Sequence, residues 1–260
     1  TDLGRTKKFH HRIHLKDQDP VYQPQFPLKP EHQDFIEQTL EDWLKLGVVR
    51  RTKSLYNSPI FCVPKKTGQG LRIVQDFRGL NSKTKVDKYS MKEVSECIGD
   101  IGRANSTIFT TIDLTSGFWQ MPLHTDDSSL TAFTVKGRGQ FEWVTSPMGL
   151  LGCPASFQRL IYIDDVIIHT ATHEAHLEIL DQTLERLERH GLKINLDKCF
   201  FGNQEVAYLG FTLTPQGILP GKAKLQALQQ TTEPRNLRQV RAFVGLCNFF
   251  RSHLKNFATI

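Results

Sequence analysis

Cysteine is sparse and scattered. Cys62, Cys97, Cys153, Cys199 and Cys247 form no C-x-x-C pair. That argues against a disulfide framework or a cysteine-rich zinc site and predicts reduced thiols in an intracellular setting. Long apolar runs are missing too: no stretch approaches the roughly 18 uninterrupted apolar residues of a membrane span. The opening TDLGRTKKFHHRIHLK is polar and basic, unlike a secretory signal. Repeats and low-complexity segments are absent. Acids are scarce in one region: between Gly221 and Ile260 seven bases face Glu233 alone, an excess of six that equals the net charge of the whole chain. This segment fits either a phosphate-facing surface or a solvated basic helix face.

The 260 residues suffice for one large domain or two to three subdomains. A proline-punctuated arm (Pro20, Pro24, Pro27, Pro30) precedes a helix with Ile36, Leu40, Trp43 and Leu44 on one face and Gly47 as its stop. SPIFCVPKK and GLRIVQDFRGLN read as a hairpin turning at KTGQG, and SSLTAFTVKGRGQFEWVTSP as a second. STIFTTIDL is a buried, β-branched strand ending at Asp113. A helix stripe of Leu177, Leu180, Leu184 and Leu187 closes at Gly191, strands follow, and a late helix aligns Leu237, Val240, Phe243, Val244 and Cys247. This mixed order predicts an α+β fold.

The chemistry lies in carboxylates at the ends of apolar strands. Asp113 follows STIFTTI, and Asp164 and Asp165 interrupt IYIDDVII. Buried ionised carboxylates are costly unless paired or bound to a cation, and brought together they repel. Mg²⁺ resolves this, because it favours hard oxygen ligands, typically one or two carboxylates plus substrate phosphates. Two such ions suit an in-line phosphoryl displacement. Taken singly, Asp113 reads as a helix N-cap and the Asp164–Asp165 pair as a polar hairpin turn; the surrounding motifs decide.

Those motifs are FTTIDLTSGFWQMPL, TAFTV, SPMGLLGCPASFQ and YIDD, preceded by SPIFCVPKKTGQGLRIVQDFRGLN and followed by YLGFTLTPQGILP. In this order the chain resembles the reverse transcriptases of gypsy-type LTR retrotransposons along nearly its whole length. The resemblance implies a right-hand polymerase fold with an antiparallel palm sheet carrying the catalytic carboxylates. Fingers would span 1–85 and 121–152, palm 86–120 and 153–213, and a partial thumb 214–260. It implies an RNA-directed DNA polymerase that adds deoxynucleotides to a primer 3′ end on an RNA or DNA template. Asp113, Asp164 and Asp165 would hold two Mg²⁺ ions, with Mn²⁺ as substitute. Lys65 and Arg72 would grip the triphosphate, Phe118 would exclude a ribose 2′-hydroxyl, and Met148 would line the nucleotide pocket. Leu209, Gly210 and Phe211 would form the primer grip. A homodimer, or a larger polyprotein with RNase H, is the implied assembly, in the cytoplasm or virus-like particles, with no membrane partner.

In one place the chain departs from the family pattern. Only Ile161 separates the helix phrase ending at Leu160 from the strand phrase at Tyr162, whereas such connections usually run about 2–6 residues. The alternative function is therefore a degenerate domain that binds nucleic acid without catalysis. His169, His173 and His176 are expected to face solvent at a helix start rather than bind zinc, and FHHRIH (9–14) to form an exposed edge strand.

Overall fold

The computed structural model describes residues 2–65, 70–87, 94–161, 166–249 and 251. In chain order the elements begin with α1 (Pro30–Lys45), β1 (Val49–Arg51), β2 (Ile60–Pro64), β3 (Leu71–Gln75), α2 (Arg78–Lys83) and α3 (Val94–Arg103). Next come β4 (Ile108–Ile112), β5 (Phe133–Val135), β6 (Gly139–Trp143), α4 (Cys153–Ile161), β7 (Val166–Thr170) and α5 (His173–Arg189). The chain ends with β8 (Phe200–Asn203), β9 (Val206–Tyr208), β10 (Phe211–Thr214), β11 (Gly217–Pro220), α6 (Lys222–Gln229) and α7 (Leu237–Phe249). No helix among the described residues is long and apolar enough to cross a membrane. The chain divides into two compact units: 1–91, 113–166 and 182–197 form the first, and the remaining segments the second.

The first unit holds the β2–β3 hairpin and a three-stranded sheet of order β1-β6-β5. α1 starts with Pro30 in its first turn and ends at Gly47, whose φ of 63° a Cβ would oppose. Its Ile36, Leu40 and Trp43 are buried as their spacing predicts. Trp43 packs 4.8 Å from Trp143 and 6.1 Å from Trp119, and Phe133 closes the aromatic cluster. Two buried polar side chains beside this cluster are paired. Trp143 Nε1–H donates to Gln75 Oε1 (2.7 Å), and the Gln75 amide nitrogen donates to Thr131 O (2.9 Å).

The N-terminal arm differs from expectation. His11 and Ile13 are buried, not exposed, because the arm is held by backbone bonds from His11 N–H to Pro122 O and from His124 N–H to His11 O. His11 Nδ1 lies 2.9 Å from Ser156 Oγ, while Nε2 has no partner among the described residues. Burial pushes the imidazole down from 6.5 to about 4, against the opposing pull of Asp127. Such a histidine is neutral when folded and takes up its proton in the unfolded chain near 6.5. Its contribution is complete above that pH and is lost as pH falls toward 4, a change on the order of 3 kcal/mol. Urea unfolding should therefore show a larger drop in stability from pH 7 to 4.5 for the parent than for His11→Asn.

The second unit contains sheets of order β7-β4-β8 and β11-β10-β9. Its apolar core gathers Ile98 and Ile101 of α3, Phe109 of β4, and Val206, Tyr208, Phe211 and Leu213 of β9 and β10. The predicted leucine stripe of α5 departs from expectation at its first position alone: Leu177 is 66% exposed, and His176 is buried in its place. Half-buried Leu180 and Leu184 and buried Leu187 continue that face. The expectation that His176 faces solvent is thus overturned, because it finds hydrogen-bond partners inside. The apolar face of α7 is present, but Leu237, Val240, Phe243 and Val244 are exposed among the described residues.

Candidate active site

Asp113 leaves a strand whose five residues are all buried, and is itself half-buried. Its carbonyl accepts from Asn195 N–H at 2.8 Å, Leu114 bridges Ile194, and Thr115 N–H donates to Lys193 O. Gln120 locks this turn from within. Fully buried, it donates from its amide nitrogen to Thr115 O (2.7 Å) and Lys193 O (2.8 Å), and its amide oxygen accepts from Lys193 N–H. Sequence reasoning gave Gln120 no role; an uncharged amide inside the apolar phrase GFWQMPL was the available signal.

The backbone after Asp113 is tight, with Ser116 at φ 48°. Phe118 packs on Phe157 at 5.0 Å between ring centroids. Gly117 is required between them, since a Cβ there would sit 2.7 Å from Phe157 Cζ. Phe118 thus presents a half-buried ring backed by a second ring, five residues beyond Asp113.

Lys65 and Arg72 occur together. Val63 pairs with Arg72 in the β2–β3 ladder, and Lys65 N–H closes the hairpin onto Gly70 O. Lys65 and Arg72 therefore project from the same face of the ribbon, diagonally across it, and both are exposed. Met148 is 63% exposed on the loop before α4. Asn81, which follows Asp76 and Arg78 in QDFRGLN, clamps this loop by donating to Gly149 O (2.9 Å) and accepting from Leu151 N–H (2.8 Å). Asp76 and Arg78 form a fork at 2.6 Å, and the guanidinium holds the buried carboxyl below its ordinary range. Asn81 too escaped the sequence analysis, because its partners are backbone groups about 70 residues away.

Leu209 and Gly210 form the two-residue turn between β9 and β10, with Tyr208 paired to Phe211. Both turn residues have positive φ, 48° and 83°, the geometry of a tight hairpin turn. Leu209 bears a strain that glycine would not, and it packs against the core of the second unit. Gly221 braces the turn: its N–H donates to Gly210 O at 3.1 Å, and a Cβ would lie 2.4 Å from that oxygen. Gly221→Ala should displace the turn and cost about 1–3 kcal/mol, read as a lower urea midpoint with an unchanged m-value.

Asp164 and Asp165 lie outside the described residues, and among the described residues no three His, Cys, Asp or Glu side chains gather to hold a metal. The strand that follows them is informative. β7 neighbours β4, and Thr107 N–H donates to Thr170 O, so β7 starts beside the end of β4.

The family described as reverse transcriptase (RNA-dependent DNA polymerase) matches residues 63–161 and 160–213, in two segments that break at Leu160–Ile161. The Retrovirus-related Pol polyprotein from transposon 297 of Drosophila melanogaster is 34% identical over 276 residues, covering 99% of this chain and 26% of that protein. The corresponding polyprotein from transposon gypsy is 33% identical over 267 residues, 95% of this chain and 26% of that protein. The chain thus spans about a quarter of these relatives. A foamy viral protease–reverse transcriptase solved with double-stranded DNA superposes with a TM-score of 0.88 at 30% identity, over 99% of this chain and 47% of that one. Another such structure, with an RNA/DNA hybrid, gives 0.81 at 30% identity, over 96% of this chain and 35% of that one. The fold is the α+β polymerase fold that the motif order implies.

Proposed function

The chain belongs to the reverse transcriptase (RNA-dependent DNA polymerase) family, and from that premise we propose that it adds deoxynucleotides to a primer 3′ end on an RNA or DNA template. The observation that carries this reading is Asp113 at the mouth of an all-buried strand, with the Gly117–Phe118 turn directly after it. The donor set fits Mg²⁺: Asp113 supplies hard oxygen where the strand emerges, and Asp164 and Asp165 would supply the rest. Bound there, Mg²⁺ (or Mn²⁺ in its place) would activate the primer hydroxyl and neutralise charge on the reacting phosphate. Lys65 and Arg72 would neutralise the triphosphate from one face of their hairpin. The Phe118 ring, held by Phe157, would fill the space a ribose 2′-hydroxyl needs. The Leu209–Gly210 backbone and Phe211 would seat the primer end.

On this reading residues 1–85 and 121–152 act as fingers, 86–120 and 153–213 as palm and 214–260 as thumb. The polypeptide works inside the cell, in cytoplasm or virus-like particles, as a homodimer or as part of a polyprotein with RNase H. The foamy viral structures contain duplex DNA and an RNA/DNA hybrid, which supports primer–template as the partner. Primer extension on an RNA template with Mg²⁺ and deoxynucleotides tests the proposal. A chain that binds primer–template yet extends nothing sinks the catalytic reading.

One observation favours the binding-only alternative. The family match breaks at Leu160–Ile161, and the match to the transposon 297 polyprotein runs over 276 residues against 260 here. The relative therefore carries residues with no counterpart in this chain. α4 runs through Ile161 and β7 begins at Val166. If the missing stretch misplaces the acidic pair by as little as about 1 Å, roughly a hundredfold in rate is lost. Inserting the relative's residues between Leu160 and Ile161 should then raise primer extension by about that factor.

A further inference from the structure

His176 carries no role in the site described so far, yet both of its ring nitrogens are hydrogen-bonded. Its side chain is buried on α5, with 3% of the residue exposed. Nε2 lies 2.7 Å from Thr110 Oγ1 on β4, and Nδ1 lies 2.9 Å from Thr170 Oγ1 on β7. Each hydroxyl has a second partner that sets its direction. Thr170 Oγ1–H donates to Thr172 O (3.0 Å), so Thr170 accepts from Nδ1–H. Thr110 Oγ1 accepts from Gly202 N–H (2.9 Å) at the irregularity where β8 pairs with β4, and it donates to Nε2. The bookkeeping selects one neutral tautomer, with its proton on Nδ1.

The geometry points to His176 as a positioning residue for the catalytic carboxylates. The inference rests on the proposed metal-dependent polymerase. One imidazole ties together β4, which Asp113 follows in the chain, and β7, which Asp165 precedes in the chain. Thr110 stands three residues before Asp113, and β7 starts at Val166, directly after Asp165. To the backbone ladder, a rigid ring bonded to both strands adds a side-chain constraint on their offset. A protonated ring would present a second N–H to Thr110 and take away the acceptor that its hydroxyl uses. Burial lowers the basicity of His176, and His173, one turn earlier on α5, lowers it further. The brace is thus complete above about pH 6.5 and lost as acid protonates the ring.

The test compares the full chain with His176→Ala and with His176→Gln, which retains one donor and one acceptor but no titration. Mn²⁺ affinity is measured by electron paramagnetic resonance, single-turnover primer extension is followed from pH 5.5 to 8, and urea unfolding establishes the folded fraction. His176→Ala should weaken Mn²⁺ binding by about tenfold and lower the extension rate without changing KM for deoxynucleotide. His176→Gln should restore both and flatten the acid side of the parent's pH profile. Parent-like Mn²⁺ affinity in folded His176→Ala, with stability alone reduced, overturns the inference while the metal site stands. If the parent binds no Mn²⁺ that Asp113→Asn abolishes, the polymerase reading itself falls, and this inference falls with it.

Discussion

Asp113→Asn should lower primer extension by about a thousandfold or more and leave primer–template affinity unchanged. Asparagine keeps the shape of the side chain, so the buried strand β4 and the backbone bond from Asn195 N–H to Asp113 O have no reason to move. On the proposed reading the variant loses a negative charge offered to a divalent cation, and a neutral amide oxygen is a poorer partner for Mg²⁺. Duplex affinity depends instead on cations that release counterions from the phosphate backbone, and none of those is altered. Steady-state extension and a salt titration of duplex binding, made side by side, check both halves. If parent and variant bind alike and neither extends, the degenerate, binding-only reading replaces the enzyme.

Trp143→Ala should destabilise the first unit by about 3–5 kcal/mol. Buried Trp143 touches Trp43, Trp119 and Phe133, so truncation leaves a cavity walled by rigid rings that cannot collapse into it. The indole N–H is also the donor to Gln75 Oε1, and its removal leaves a buried acceptor unpaired. Trp143→Phe separates the two effects, because it keeps most of the ring volume and loses only the donor, at about 1–3 kcal/mol. Against a typical domain stability of about 5–15 kcal/mol, the alanine variant approaches unfolding and the phenylalanine variant does not. Urea denaturation followed by far-ultraviolet circular dichroism decides; equal losses in the two variants would leave the cavity without a role.

The two histidine expectations that failed share one cause. His11 and His176 occur in polar, His-rich phrases, and local composition points such phrases toward solvent. Burial became possible through partners on other elements, two of them far along the chain: Ser156 for His11 and Thr110 for His176, the latter joined by nearby Thr170. Asn81 and Gln120 were overlooked for the same reason, since each satisfies backbone groups far along the chain. Hydrogen-bond complementarity across such separations leaves no periodic trace in a sequence.

Periodic burial does leave one. The apolar face of α1, its stop at Gly47, the β2–β3 hairpin and the buried run ending at Asp113 were all legible, because each depends on neighbours within a few residues. The ordered motifs carried the family and with it the expected carboxylates. By itself, then, the sequence determined the elements and the chemistry on offer. Tertiary structure decided which face of α5 is buried, that Lys65 and Arg72 share a face, that Phe118 is backed by Phe157, and that Gly221 underlies the Leu209–Gly210 turn. Those outcomes depend on close packing between segments remote in the chain, where steric fit and the pairing of buried polar groups choose among arrangements that local propensity leaves equal.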